Sequence, residues 1–190
     1  MLLAHKIGLA PNNKQATYFA RASGVSRFAY NWALGEWRRD HKDGGKPSEM
    51  TLRKRLNAVK REQFPWMFEV TKCAAQEAII NLGVAFTNFF RDCKKPKAQR
   101  RFHHPKPKKK GVHDSFCAAN EAGTFRCEGE RIKLPVIGWV RMCEALRFEG
   151  RAKYVTVSRE GDRRFASILS KRRSRKSFIS LVLALASISA

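Results

Sequence analysis

Carboxylates are scarce in this chain. Its 190 residues carry 16 Asp and Glu against 39 Lys and Arg, a formal net charge of +23. No acidic residue lies between Lys94 and Lys110, and none follows Asp162. A positive excess of this size repels itself in a compact state, and a polyanion relieves the repulsion. The sequence pI of about 10.6 has the electrostatic footprint of a nucleic-acid binder. An anionic membrane surface is the rival partner on charge alone.

Paired cysteines, long apolar runs and internal repeats are also missing. Cys73, Cys93, Cys117, Cys127 and Cys143 are odd in number and widely spaced, with no C-x-x-C pair. His103, His104 and His113 do not complete a zinc pattern with them, so reduced thiols are expected. The start, Met1 to Lys6, has no apolar run suited to a signal peptide. The apolar stretch Phe178–Ala190 covers 13 residues, short of the ~20 that cross a bilayer. These absences point to a cytoplasmic protein with no membrane partner.

What is present argues for a folded chain. Thirteen Phe, four Trp and three Tyr, within 43% hydrophobic residues, supply the apolar area that a disordered basic tail lacks. Leu2 to Leu9 reads as a strand stopped by Pro11-Asn12-Asn13. Val25, Phe28, Ala29 and Trp32 then share one helical face between Thr17 and Asp40, with Gly24 suggesting a bend. Ser48 is placed to cap a second helix carrying Leu52, Leu56 and Val59. A third helix, about Thr71 to Arg91, carries Ala75, Ala78, Ile79, Leu82, Phe86 and Phe89 in one stripe, which reads as core.

Composition then changes abruptly. Lys94 to Lys110 holds nine Lys or Arg and three Pro, which predicts an extended, solvated loop that tracks phosphates. From Asp114 short strands alternate with turns, and Glu160-Gly161-Asp162 reads as a hairpin. The expected fold class is α+β, a small antiparallel β-barrel with three helices inserted after its first strand. Its expected divisions are 1–12, 13–93, 94–113 and 114–170, with a basic then apolar tail over 171–190.

Candidate binding residues follow from helical geometry. Lys72, Gln76, Gly83 and Thr87 fall on one stripe beside the apolar face of the third helix. Lys suits guanine or a phosphate, and Gln suits adenine. Gly83 reads as a gap that admits a nucleic-acid backbone. Arg27, Tyr30 and Asn31 lie on the first helix as candidates for backbone contact. The richest phosphate-binding candidates are Lys94, Lys95, Lys97, Arg100, Arg101, Lys106, Lys108, Lys109 and Lys110. Asp114, Glu121, Glu128 and Glu130 are too scattered to read as a catalytic set.

Several motifs occur in a familiar order: "KIGLAPNNKQ", "SRFAYNWAL", "AAQEAIINLGVAFTNFFR", the Lys/Pro-rich loop, "RIKLPVIGWVR" and "YVTVSREGDRRFASIL". Over residues 5–170 the chain resembles the N-terminal half of TnpB, the OrfB protein of bacterial transposons and a relative of type V CRISPR effectors. The resemblance implies a wedge-type barrel and a helical recognition lobe. It implies as partners a guide RNA from the transposon end and double-stranded DNA read at a short motif, with Lys72 and Gln76 at polar positions of the recognition helix and Thr87 as a further motif-reading candidate. In the family a RuvC-like nuclease domain follows, with three acidic metal-binding residues. Here the chain continues after Leu169 as "SKRRSRKSFISLVLALASISA". That tail reads as out-of-frame translation or a decayed gene end, with an authentic basic-amphipathic tail as the alternative. The expectation is therefore a nucleic-acid-binding portion with no catalytic residue, metal ligand or cofactor of its own, Mg2+ belonging to a RuvC domain. The alternatives are a non-specific basic RNA- or DNA-binding scaffold and a nuclease component needing a RuvC half in trans.

Overall fold

A computed structural model describes residues 2–120, 123, 125–147 and 150–172. Glu121 and all but the first two residues of the 171–190 tail lie outside the described residues. Strand β1 (Leu2–Ala10) ends at Pro11, which has no N–H to extend a ladder. Asn12 then caps helix α1 (Asn13–Lys42). Asn12 Oδ1 accepts the Gln15 amide at 2.9 Å, and Gln15 Oε1 accepts the Asn12 amide at 3.1 Å. Two donors that a helix start leaves open are satisfied reciprocally. Gln15 Nε2 also donates to the Trp139 carbonyl at 2.8 Å, so the same turn fastens the helix to the sheet. Through Gly24 the helix runs unbroken, because an isolated helical glycine costs propensity without ending the helix.

Helix α2 (Glu49–Gln63) starts as expected at Ser48, whose Oγ accepts the Thr51 amide at 3.2 Å. A 3-10 turn, Pro65–Glu69, leads into α3 (Lys72–Cys93). The apolar stripe of α3 is core: Ala78, Ile79, Leu82 and Phe86 are buried, while Ala75 and Phe89 pack against them partly exposed. Phe86 stacks on Trp37 of α1 with ring centroids 4.2 Å apart.

The remaining strands are β2 (Ser115–Ala119), β3 (Arg126–Glu128), β4 (Arg131–Leu134), β5 (Gly138–Met142), β6 (Gly150–Glu160) and β7 (Arg163–Arg172). They join β1 in one antiparallel sheet of order β2-β6-β7-β1-β5-β4-β3. The first strand thus lies at the centre, and the three helices are inserted between it and the rest. Alternate residues point to one buried face: Ile7 and Leu9, Phe116 and Ala118, Ile132 and Leu134, Val140 and Met142, Val155 and Val157, Ala166 and Ile168. This is the two-residue period of a half-buried sheet.

The sheet is α+β in context but open, where the sequence suggested a closed barrel. Among the described residues the edge strands β2 and β3 share no ladder. With three residues in β3 and four in β4, that edge is too short to curl round and pair. Asn120 bridges the gap at one point. Its Nδ2 donates to the Phe125 carbonyl at 2.9 Å and to the Ala152 carbonyl at 3.0 Å, while Oδ1 accepts the Phe125 amide at 3.3 Å.

One buried tyrosine ties the halves together. Tyr18 of α1 accepts the Thr71 amide at 3.1 Å and donates to the Pro135 carbonyl at 3.3 Å. Its ring packs near Phe19 and Phe116. The start of α3, the body of α1 and the β4–β5 turn are thereby held in register. Among the described residues no helix is long and apolar enough to cross a membrane.

Candidate nucleic-acid interface

The basic run after α3 is anchored to the helices at several points, while most of its residues stay exposed, as composition suggested. The anchor at its start is Asp92, a fully buried carboxylate in the last turn of α3. Its Oδ1 accepts Lys95 Nζ at 2.7 Å, and its Oδ2 accepts the Arg101 and Phe102 amides at 2.7 and 2.9 Å. The Lys95 ammonium, then the two amides, hold this carboxyl well below the usual carboxylate range. Further along, the His104 ring packs edge-on to Phe86 and Phe89. The Pro105 carbonyl accepts Arg38 Nη2 at 3.4 Å.

The second anchor is Asn31. Its Oδ1 accepts the Lys108 amide at 2.8 Å and its Nδ2 donates to the Lys108 carbonyl at 3.0 Å. A side-chain amide here does what a neighbouring strand would do. Tyr30 is 7% exposed and carries the Lys108 ammonium 4.6 Å above its ring; burial pulls the Lys108 pKa down. Arg27 meets Asp114 at 2.7 Å, just past the run. Tyr30 and Asn31 therefore hold the strap at Lys108, and Arg27 holds the turn just past it.

Why such a segment docks is a matter of donors. Pro96, Pro105 and Pro107 have no N–H to satisfy. The few strap amides that turn inward meet Asp92 and Asn31, so burying them leaves no orphan. The cations meanwhile face outward: Lys94, Lys97, Arg100, Arg101, Lys106, Lys109 and Lys110 are exposed, and Lys95 and Lys108 are partly buried. Arg100 also donates through Nε and Nη2 to the Lys95 and Cys93 carbonyls, which ties its guanidinium to the end of α3.

The second candidate surface is a groove of about 350 Å³ between α2 and α3. Lys72 and Gln76 line it from α3, and Arg53, Asn57 and Lys60 line it from α2, with Phe68 at its end. Phe68 is 55% exposed, and Lys60 Nζ lies 5.3 Å from its ring. Arg53 pairs with Glu49 at 2.8 Å and Lys60 donates to Asn57 at 2.7 Å. Among the described residues Lys72 and Gln76 close no side-chain hydrogen bond, so their polar atoms are available to a ligand. The α2 partners escaped the sequence reading. Their signal was the polar face of α2, but nothing in the sequence says which face of α3 it meets.

The other two members of the stripe stand apart. Gly83 is not a gap for a nucleic-acid backbone. A Cβ there would lie 2.9 Å from Glu49 Cβ and 3.0 Å from Glu49 Cγ, so the space belongs to the start of α2. Thr87 lies outside the groove, and its hydroxyl donates to the Gly83 carbonyl at 3.0 Å.

Among the described residues no group of three His, Cys, Asp or Glu is assembled as a metal site. The five cysteines are free, and burial pushes the Cys127 thiol up to about 11, which keeps it neutral.

The HTH_OrfB_IS605 family, described as a helix-turn-helix domain, matches residues 1–46; in this chain that segment is β1 and the single helix α1. Relatives named "Putative RNA-guided DNA endonuclease" include two from Mycobacterium tuberculosis and one from Escherichia coli. MT2953 of Mycobacterium tuberculosis is 33% identical over 87% of this chain and 41% of its own length. InsQ of Escherichia coli is 28% identical over 88% of this chain and 40% of its own length. The virulence protein VsdF of Salmonella dublin is 31% identical over 54% of this chain and 90% of its own length. The chain thus spans about two fifths of the endonuclease-named relatives it matches.

Proposed function

Because the chain belongs to the TnpB/OrfB family and corresponds to its N-terminal part, we propose that it is a nucleic-acid-gripping unit of an RNA-guided system. The docked strap takes phosphates of a guide RNA or of DNA, and the α2–α3 groove reads a short motif in duplex DNA beside the target. In this reading the open sheet acts as the family's wedge domain and the three helices as its recognition lobe, with boundaries near residues 12, 93, 113 and 170. The guide derives from the transposon end, and the protein works in the nucleoid.

The observation that carries the reading is the strap's construction. A buried carboxylate and a two-way amide clamp hold its backbone, while seven cations remain in solvent. A segment whose charge served solubility alone would need no such anchoring. Phosphate contacts position a nucleic acid, and base contacts specify sequence; the strap is suited to the first and the groove to the second. Cutting is assigned to a RuvC domain, whose carboxylates would hold the divalent metal for phosphodiester hydrolysis.

The test is the salt dependence of binding to a guide RNA and to duplex DNA. A strap that neutralises ~5 phosphates gives a log–log slope of roughly −3.5 to −4.5. Under the same conditions the chain alone, with Mg2+ or Mn2+ and guide, leaves DNA uncut. A weak, salt-independent affinity would overturn the reading. Metal-dependent cleavage that survived repurification would overturn the division of labour.

A further inference from the structure

A second basic site lies where α1, the end of the strap and the β6–β7 hairpin meet. The cleft is small, about 100 Å³, and is lined by Arg27, Lys110, Asp114, Ser158, Arg159 and Arg164. Four cations thus surround one carboxylate. That carboxylate is already committed: Asp114 Oδ1 accepts Arg27 Nη1 at 2.7 Å, and Oδ2 accepts the Gly111 amide at 3.1 Å.

The two hairpin arginines have no comparable partner. Arg159 donates through Nε to the Gly161 carbonyl at 2.7 Å, and its Nη2 lies 3.7 Å from the exposed Asp162. Arg164 closes no hydrogen bond or ion pair among the described residues. Arg159 and Arg164 stand directly opposite each other in the β6–β7 ladder, an arrangement of like charges that destabilises a strand pair. Burial, then the neighbouring Arg159 charge, draws the Arg164 pKa down. An anion between these groups would remove the conflict. The guanidinium fork matches a tetrahedral oxyanion in two hydrogen bonds.

We propose that this cleft binds one phosphate group of a bound nucleic-acid strand and so joins the hairpin to the strap and α1. A cleft this size takes a phosphate and no base, so the site reads no sequence. The inference rests on the nucleic-acid reading above, but it concerns a different face from the groove and uses two residues outside the strap.

Two measurements on the full chain test it. In the first, thermal unfolding is followed in inorganic phosphate and in chloride at matched ionic strength. Phosphate should raise Tm in the unaltered chain and fail to do so in Arg164→Gln. Arg164→Gln should not lower Tm in chloride, because it removes one of two opposed like charges. If it does, Arg159→Gln serves as the second variant. In the second, duplex DNA binding is titrated against salt. Arg164→Gln should make the slope shallower by ~0.9, the loss of one phosphate contact, equally for every sequence. If phosphate and chloride act alike and the slope is unchanged, the cleft is no phosphate site. The function proposed above then still stands, provided that neutralising strap cations flattens the slope. A phosphate-specific rise in Tm with an unchanged slope would overturn the nucleic-acid assignment in favour of free phosphate.

Discussion

The strap and the groove are both basic, yet they are built on opposite plans. In the strap the backbone is fixed and most of the charged side chains face solvent, with seven cations exposed and anchors contributed by Asp92 and Asn31. In the groove the side chains sit on two packed helices, and the cations of α2 are tied to Glu49 and Asn57. The strap offers charge without a shaped recess. The groove offers a recess with few uncommitted polar atoms, chiefly those of Lys72 and Gln76. Affinity that falls with salt and discrimination between bases are different quantities, and here they map to different segments.

The largest effect should come from the strap. Replacing Lys97, Arg101, Lys106 and Lys109 by Gln removes four exposed charges and leaves the anchors intact. Binding to RNA and DNA should weaken for every sequence, and the salt slope should become shallower by ~3. Unchanged slopes would mean that the strap is only solvated, and the contrast with the groove would collapse.

Next in size is the loss of the anchor. Asp92→Asn keeps the shape but removes the charge that Lys95 and two amides surround, so the strap should loosen with its cations still present. Amide exchange at Arg101 and Phe102 should speed up at neutral pH. The native chain should show the same loosening on acidification. The Asp92 carboxyl titrates below its ordinary value of 3.8 when folded, so its stabilisation is complete above that value and is lost as pH falls below it. Unchanged protection of these amides in Asp92→Asn at neutral pH would show that Asp92 is not the anchor.

Gly83→Ala sharpens the comparison from the groove side. The added Cβ would meet Glu49 Cβ and Cγ at 2.9 and 3.0 Å, atoms close to the α2 backbone that cannot swing aside. Overpacking costs ~1–3 kcal/mol, and the better helix propensity of Ala returns ~1 kcal/mol. A net loss of about 1 kcal/mol should lower Tm by roughly 2–4 °C, with groove binding impaired and strap binding kept.

Much of this arrangement was legible in the residues. The stripe of α3, the Ser48 cap and the Glu160–Asp162 hairpin follow from periodicity and turn chemistry, which are local. The open sheet did not follow, because strand order and the reach of a three-residue edge strand are global properties. The docking of the strap was hidden for a different reason. It depends on one carboxylate, Asp92, whose burial no composition count reveals, and on Asn31, 77 residues away from Lys108. The groove was half legible: the phase of α3 put Lys72 and Gln76 together, but the same phase misread Gly83, whose neighbour Glu49 belongs to another helix.

The smallest effect on average affinity, and the most selective, should come from Gln76→Ala. If the Gln76 amide reads an adenine edge, its loss costs ~1–3 kcal/mol at one base position and relaxes preference there. Averaged over unrelated sequences the change should be near zero, because no charge is removed. Gln76 is only partly buried and Ala is the better helix former, so the helical circular dichroism signal should be unchanged. Competition among duplexes randomised over a short window, with guide RNA present, measures the effect. The strap variant run in parallel should lower every duplex alike and leave the preference intact. If Gln76→Ala also lowered every duplex alike, the groove would be a second phosphate surface, and the separation of gripping from reading would fail.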